Sequence, residues 1–116
     1  MDTNWVLYNL KEMKKAEVYM YNKFSGILTE DENGFHFKYD PSYLQSDQAE
    51  PISLTLPLSD KVYTSKVMFP FFDGLIPEGW LLDIAQKNWK LDPRDRMDVL
   101  LKTCQDCIGA VSIKEM

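Results

Sequence analysis

The sequence predicts a single small α+β domain, in which a mostly antiparallel sheet of about four or five strands is interrupted by two helices before its last strand. Two observations predict this class. Between residues 13 and 58 apolar residues tend to alternate with polar ones, as in strands with one buried face. From residue 80 the apolar period changes to about 3.6, which is typical of amphipathic helices.

Length and composition limit the function classes. A chain of 116 residues with 45% hydrophobic and 27% charged residues is long enough for one modest core and is not disordered. Its net charge of -5 with scattered basic residues disfavours direct nucleic-acid binding. No apolar run approaches the roughly 18 to 20 residues that span a bilayer, and no signal-like segment opens the chain. We therefore expect a cytoplasmic protein without membrane contacts.

The first half of the chain is predicted to open with an appendage and a hairpin. Residues 1–14 are interpreted as an N-terminal extension with a short amphipathic helix over residues 2–13, and residues 15–116 as the domain. The first strand opens at Met13. Its hairpin partner covers residues 22–31, where Gly26 indicates a bulge or close packing.

Two further strands follow. The Asn-Gly pair at 33–34 predicts a two-residue hairpin turn. The third strand covers residues 35–39, with aromatic residues on one face and His36 and Lys38 on the other. Alternating apolar residues predict a fourth strand over residues 52–58, at a sheet edge because Pro57 cannot donate a ladder hydrogen bond.

Two helices and a closing strand complete the fold. A broad apolar arc predicts the first helix: Trp80, Leu81, Leu82, Ile84, Ala85 and Trp89. For the second helix we predict Asp92 as N-cap, Pro93 at the first helical position and Asp95 in the first turn. Its apolar face recurs at i, i+3, i+4 and i+7: Met97, Leu100, Leu101 and Cys104. Residues 109–113 are predicted to form a buried last strand.

The sequence holds no catalytic constellation, and we predict neither a cofactor nor a metal. Cys104 and Cys107 have redox or zinc spacing, but we interpret them as structural, because Cys104 falls at a helix C-terminus and other soft ligands are few. His36 is the single histidine, and we interpret it as a surface residue. Residues 72–74 read Phe-Asp-Gly, which is not the kinase order Asp-Phe-Gly, and no phosphate-binding loop accompanies them.

Residues 70–80, PFFDGLIPEGW, are the most unusual stretch. Pro77 and Gly79 break regular structure just before Trp80, which places this indole at the edge of a helix. Such a side chain is suited to enter a partner's pocket. The alternative is that the aromatic residues of the stretch fill the domain's own core, with Trp80 covering it.

The chain resembles the N-terminal subdomain of HipA-type toxin kinases over residues 15–113. The segments that carry the resemblance are VYMYNKFSGILTED, GFHFKYD, PISLTLPL, FFDGLIPEGW, DPRDRMDVLL and CIGAVSI. In a fused HipA protein a Ser/Thr kinase core follows the Gly-Ala strand, whereas this sequence ends three residues after it. The resemblance therefore implies a stand-alone, HipS-like antitoxin.

In such tripartite modules the kinase is a separate HipT-like or HipA-like chain and a HipB-like protein binds DNA. The resemblance thus implies a non-catalytic protein that restrains a kinase. The predicted partner-binding residues are Trp80, Glu78, Asp73, Phe72 and Lys87. Three alternatives stay open: an accessory subdomain that positions or activates a kinase core, an excised piece of a longer HipA-like protein, and a small CxxC redox or metal protein.

Overall fold

The structure is a computed structural model that describes residues 13–87, 90–104 and 110–116. Its elements in chain order are β1 Lys14–Met20, β2 Lys23–Asp31, β3 Gly34–Tyr39, α1 Pro41–Leu44, β4 Tyr63–Ser65, α2 Pro70–Asp73, α3 Trp80–Gln86, α4 Arg96–Thr103 and β5 Val111–Glu115. The strands form one sheet in the order β4-β3-β2-β1-β5, and every neighbouring pair is antiparallel. The predicted α+β class is confirmed. Residues 2–12 of the helix predicted over residues 2–13, and Trp89 of the later helix, lie outside the described residues.

One face of the sheet forms the core. Side chains from four strands are buried on this face: Ala16, Val18, Leu28, Phe37 and Ile113. The predicted face of α4 packs in the same cluster: Met97, Leu100, Leu101 and Cys104. Lys15 and Lys38 point to the opposite side and are exposed. The period-two alternation therefore separates a buried face from a wet one, as predicted.

The hairpin turns depend on residues that accept positive φ. Tyr21 and Asn22, with φ of 49° and 66°, join β1 to β2. At the next hairpin the turn lies one residue earlier than predicted. Gly34, with φ of 121°, already pairs with Asp31, so the loop is residues 32–33. A Cβ on Gly34 would lie 2.4 Å from the Ser65 carbonyl oxygen, which also excludes a larger residue there.

The strand predicted over residues 52–58 is wrong. This segment is a loop with one isolated bridge between Ser53 and Leu56, and the fourth strand is instead β4. The alternation misleads because the apolar residues do not share one buried face. Ile52 and Leu56 are 5% and 3% exposed, whereas Leu54 between them is 96% exposed.

The start predicted for the second long helix is also wrong. The N-cap is Asp95, whose side chain accepts a hydrogen bond from the Asp98 amide at 3.1 Å. Asp92 instead closes a turn, since its carboxylate accepts from the Arg94 amide at 2.9 Å. Asp95 also binds Lys14, the first residue of β1, with 2.6 Å between ammonium and carboxylate. Asp95 therefore combines the helix cap with an ion pair to a distant strand.

Within the described ranges, no helix is both long enough and apolar enough to cross a membrane.

Candidate partner-binding site

The backbone of residues 70–80 is a run of tight turns. Pro70 opens α2, and successive amides close short loops: Gly74 donates to the Pro70 carbonyl at 2.9 Å and Ile76 to that of Asp73 at 3.2 Å. Trp80 then donates to the Pro77 carbonyl at 3.1 Å as α3 begins. The stretch is thus ordered by its own hydrogen bonds.

Phe72 anchors this stretch in the core. Its side chain is fully buried, and its ring centroid lies 5.5 Å from that of Phe37 on β3 and 5.3 Å from that of Phe71. Aromatic pairs at these separations add to the stabilisation from burial. Phe72 therefore fixes the stretch from inside, and this placement leaves no side-chain surface for a partner. We keep the partner-binding prediction for Trp80, Glu78, Asp73 and Lys87.

Arg96 links two of the predicted residues. Its Nε donates to the Asp73 carboxylate at 2.7 Å, and its guanidinium carbon lies 5.6 Å from the centroid of a Trp80 ring. The second distance is that of a cation–π contact. Sequence reasoning missed Arg96, because no local pattern relates it to a residue 23 positions earlier. The contact holds the indole in place while leaving it half-buried.

The first turn of α3 exposes apolar surface. Ile84 is 5% exposed and packs inward, whereas Leu81 and Leu82 are 58% and 66% exposed. Only part of the predicted apolar arc is therefore core. We call Trp80, Leu81 and Leu82 the Trp80 surface.

The polar residues around the Trp80 surface have different settings. Glu78 is exposed, and the Lys87 ammonium lies 3.3 Å from the carboxylate of Asp83, one turn earlier on α3. This ion pair matches the i, i+4 spacing that supports exposed helices. Lys87 is therefore held along the helix by Asp83.

Gly79 is not required by the fold. Its φ is -85°, and a Cβ added there meets no atom within 4 Å. Any residue could adopt this backbone, so the turn alone does not explain a glycine. Close approach of a partner's backbone at this point is one physical reason for glycine.

The other predicted chemical residues have structural contacts. The Cys104 thiol is fully buried and donates to the Leu75 carbonyl at 3.1 Å, which ties the end of α4 to the PFFDGLIPEGW stretch. Cys107 lies outside the described residues. His36 bridges Thr64 and Asp31, with both separations 3.0 Å, and its hydrogen bond is the main cause that lowers the pKa of Asp31. Among the residues with described positions, no group of three His, Cys, Asp or Glu side chains could hold a metal ion.

Three comparisons relate the chain to known proteins. The family model for the HipA N-terminal domain matches residues 16–114. An uncharacterized protein of Haemophilus influenzae is 37% identical over 103 residues, which cover 89% of this chain and 93% of that protein. The solved N-terminal domain of HipA toxin is 33% identical, with a TM-score of 0.69, and the match covers 89% of this chain and 92% of that one.

Proposed function

Because the chain belongs to the HipA N-terminal domain family, we propose that it binds a separate HipA-like or HipT-like Ser/Thr kinase and neutralises it without catalysing a reaction itself. Family membership relates the chain to HipA-type toxin proteins. The match to the Haemophilus influenzae relative covers 93% of that protein, so a chain of about this domain's size occurs in the family. In the proposed complex the kinase is a separate chain, and a HipB-like DNA-binding protein is a further partner.

The observation that carries the proposal is the Trp80 surface. Leu81 and Leu82 leave more than half of their side-chain area in water, beside an indole that Arg96 already orients. Burying such apolar area is favourable, and a side chain held in its bound conformation loses little entropy on binding. Tryptophan is among the commonest residues to dominate binding energy. The surface thus has the composition and the rigidity of an interface core.

One observation favours a second function. The solved relative is the N-terminal domain of a HipA toxin, so a domain of this fold also occurs as part of a toxin. A domain in that position can support its kinase rather than restrain it. The two functions predict opposite changes in kinase activity when this protein is added. A neutralising protein lowers the activity and rescues growth, whereas a protein that positions the kinase core raises the activity.

The test combines binding and folding measurements on single variants. Trp80→Ala should weaken binding to the purified kinase chain by about 2 kcal/mol or more, roughly thirtyfold. Its effect on unfolding should stay below the roughly 3 to 5 kcal/mol expected for a fully buried tryptophan, because Trp80 is half-buried. Val67→Ala, at a 69% exposed position outside the stretch, is the matched control. Loss of folding stability with full affinity among folded molecules would assign Trp80 to the core and remove the main support for the proposal.

A further inference from the structure

Two buried tyrosines hold the loop between α1 and β4. The Tyr43 hydroxyl donates to the Glu50 carbonyl at 2.7 Å and accepts from the Glu50 amide at 3.0 Å. The Tyr39 hydroxyl donates to the Leu56 carbonyl and accepts from the Ile52 amide at 3.0 Å. Burial raises the pKa of Tyr39 to about 12, although the Ile52 amide opposes the shift. The donor is therefore present throughout the physiological pH range.

These bonds fix a turn with an apolar apex. Ile52 and Leu56 are buried on either side of the turn, and the Leu56 amide donates to the Ser53 carbonyl at 3.1 Å. The Ser53 hydroxyl lies 2.9 Å from that of Thr55, which closes the same turn from its side chains. Leu54 stands at the apex with 96% of its surface exposed. The fold therefore presents a leucine on a backbone that has already lost its freedom.

The chain segment around Leu54 carries a net negative charge. Residues 45–61 include three acids and one lysine, Lys61, and all four side chains are exposed: Asp47, Glu50, Asp60 and Lys61. Leu58, 39% exposed, adds apolar surface nearby in the chain. The complementary surface is an apolar pocket with a basic rim.

We propose that Leu54 is a second docking point, which inserts into an apolar, basic-rimmed pocket of the kinase chain. The inference rests on the proposed function and adds to it a contact outside the Trp80 surface. A preordered apolar side chain costs little further entropy on binding, which is the physical basis of an anchor residue.

A second copy of this chain is the competing occupant. The open face of the sheet has a cavity of about 370 Å³ lined in part by Ile27, Phe24, Lys15 and Lys38, which also combines apolar and basic groups. Two copies would each bring a net charge of -5, and their mutual repulsion opposes this association. We therefore assign Leu54 to the kinase, and self-association becomes an outcome of the test.

The experiment compares three variants of the full chain. Leu54→Ser should weaken binding to the purified kinase chain roughly tenfold or more, while Leu54→Met, which keeps an apolar side chain of similar volume, should stay within about threefold. Val67→Ser is the control, because Val67 is 69% exposed elsewhere on the surface. All three should unfold at the wild-type temperature, since exposed side chains contribute little to stability.

Each outcome decides the inference. Wild-type affinity for Leu54→Ser overturns it, and if Trp80→Ala still weakens binding, the proposed function stands. Failure of the wild-type chain to bind the kinase defeats the proposed function and the inference together. Sedimentation of the protein alone measures its oligomeric state. If the wild type is an oligomer and Leu54→Ser is a monomer, Leu54 binds a second copy of this chain, and the inference is overturned.

Discussion

The N-cap of α4 gives the sharpest test of how the fold is held. Asp95 has two roles: its carboxylate accepts from the Asp98 amide at 3.1 Å, and it lies 2.6 Å from the Lys14 ammonium. Asp92, three residues earlier, accepts from the Arg94 amide in an exposed turn. Asp95→Ala removes the helix cap and its ion pair to β1, whereas Asp92→Ala removes only side-chain contacts with Arg94 in an exposed turn. The two variants therefore compare these contributions within one segment.

The magnitudes follow from these contacts. Loss of an N-cap costs about 0.5 to 2 kcal/mol. The ion pair with Lys14 adds about 0 to 1 kcal/mol, because both side chains are 29% exposed and screened. Asp95→Ala should therefore lower the free energy of unfolding by about 0.5 to 3 kcal/mol, and Asp92→Ala by about 0.5 kcal/mol or less. Urea unfolding measures both values.

Thermal unfolding gives an independent measure. At about 4 to 8 °C per kcal/mol, the value for slightly smaller domains, Asp95→Ala should lower Tm by roughly 2 to 24 °C. Lys14→Met leaves the cap intact and removes the ion pairs of Lys14 with Asp95 and with Asp98, at 2.6 and 3.1 Å, so its loss gives an upper bound on the ion-pair part. A larger loss for Asp92→Ala than for Asp95→Ala would mean that α4 begins at Asp92 in solution, and the reasoning from cap geometry would then be refuted.

Two further predictions concern the glycines and the histidine. Gly26→Ala should severely destabilise the domain, because its Cβ would lie 2.5 Å from the Lys38 carbonyl oxygen, whereas Gly79→Ala should leave the free energy of unfolding unchanged. Urea unfolding measures this free energy for both variants, and equal losses would contradict the packing. Replacing His36 by Ala should raise the pKa of Asp31 toward its ordinary value, as followed by carboxyl-carbon NMR. Because the folded pKa of Asp31 is lowered, its stabilisation is present above the unfolded value and lost as pH falls through the folded one. In the variant the two values lie closer together, so less of this stabilisation is present at neutral pH and less is lost on acidification; an unchanged Asp31 titration would disprove the coupling.

The sequence predicts those elements whose side chains repeat regularly against one core. The buried faces of β3 and α4 are predicted correctly, because the regularly spaced apolar residues of each element all lie in the same core cluster. The period needs no knowledge of distant contacts. The α+β class follows from these elements, whereas the family resemblance rests on quoted segments such as FFDGLIPEGW.

The errors arise where a distant residue decides local structure. The Tyr39 hydroxyl binds the Ile52 amide and the Leu56 carbonyl, two backbone groups that could otherwise pair with a neighbouring strand. The alternation of apolar residues over 52–58 is therefore misleading. Asp95, the helix cap, also binds Lys14 on β1, a contact between residues 81 positions apart. Arg96 joins Asp73 to Trp80 only after folding brings them together. None of these contacts leaves a periodic trace in the sequence.

The two proposed docking points share one aromatic support. The Tyr39 ring, whose hydroxyl holds the turn of Leu54, lies 4.9 Å between centroids from Phe37, and Phe37 lies 5.5 Å from Phe72 beneath the PFFDGLIPEGW stretch. All three rings are fully buried, so neither end can shift without repacking the core. A partner that binds Trp80 would therefore meet Leu54 already in place, and the second contact would need little further ordering. In the proposed complex, Phe72 would therefore act on binding through the rigidity of the scaffold, because its own side chain is fully buried.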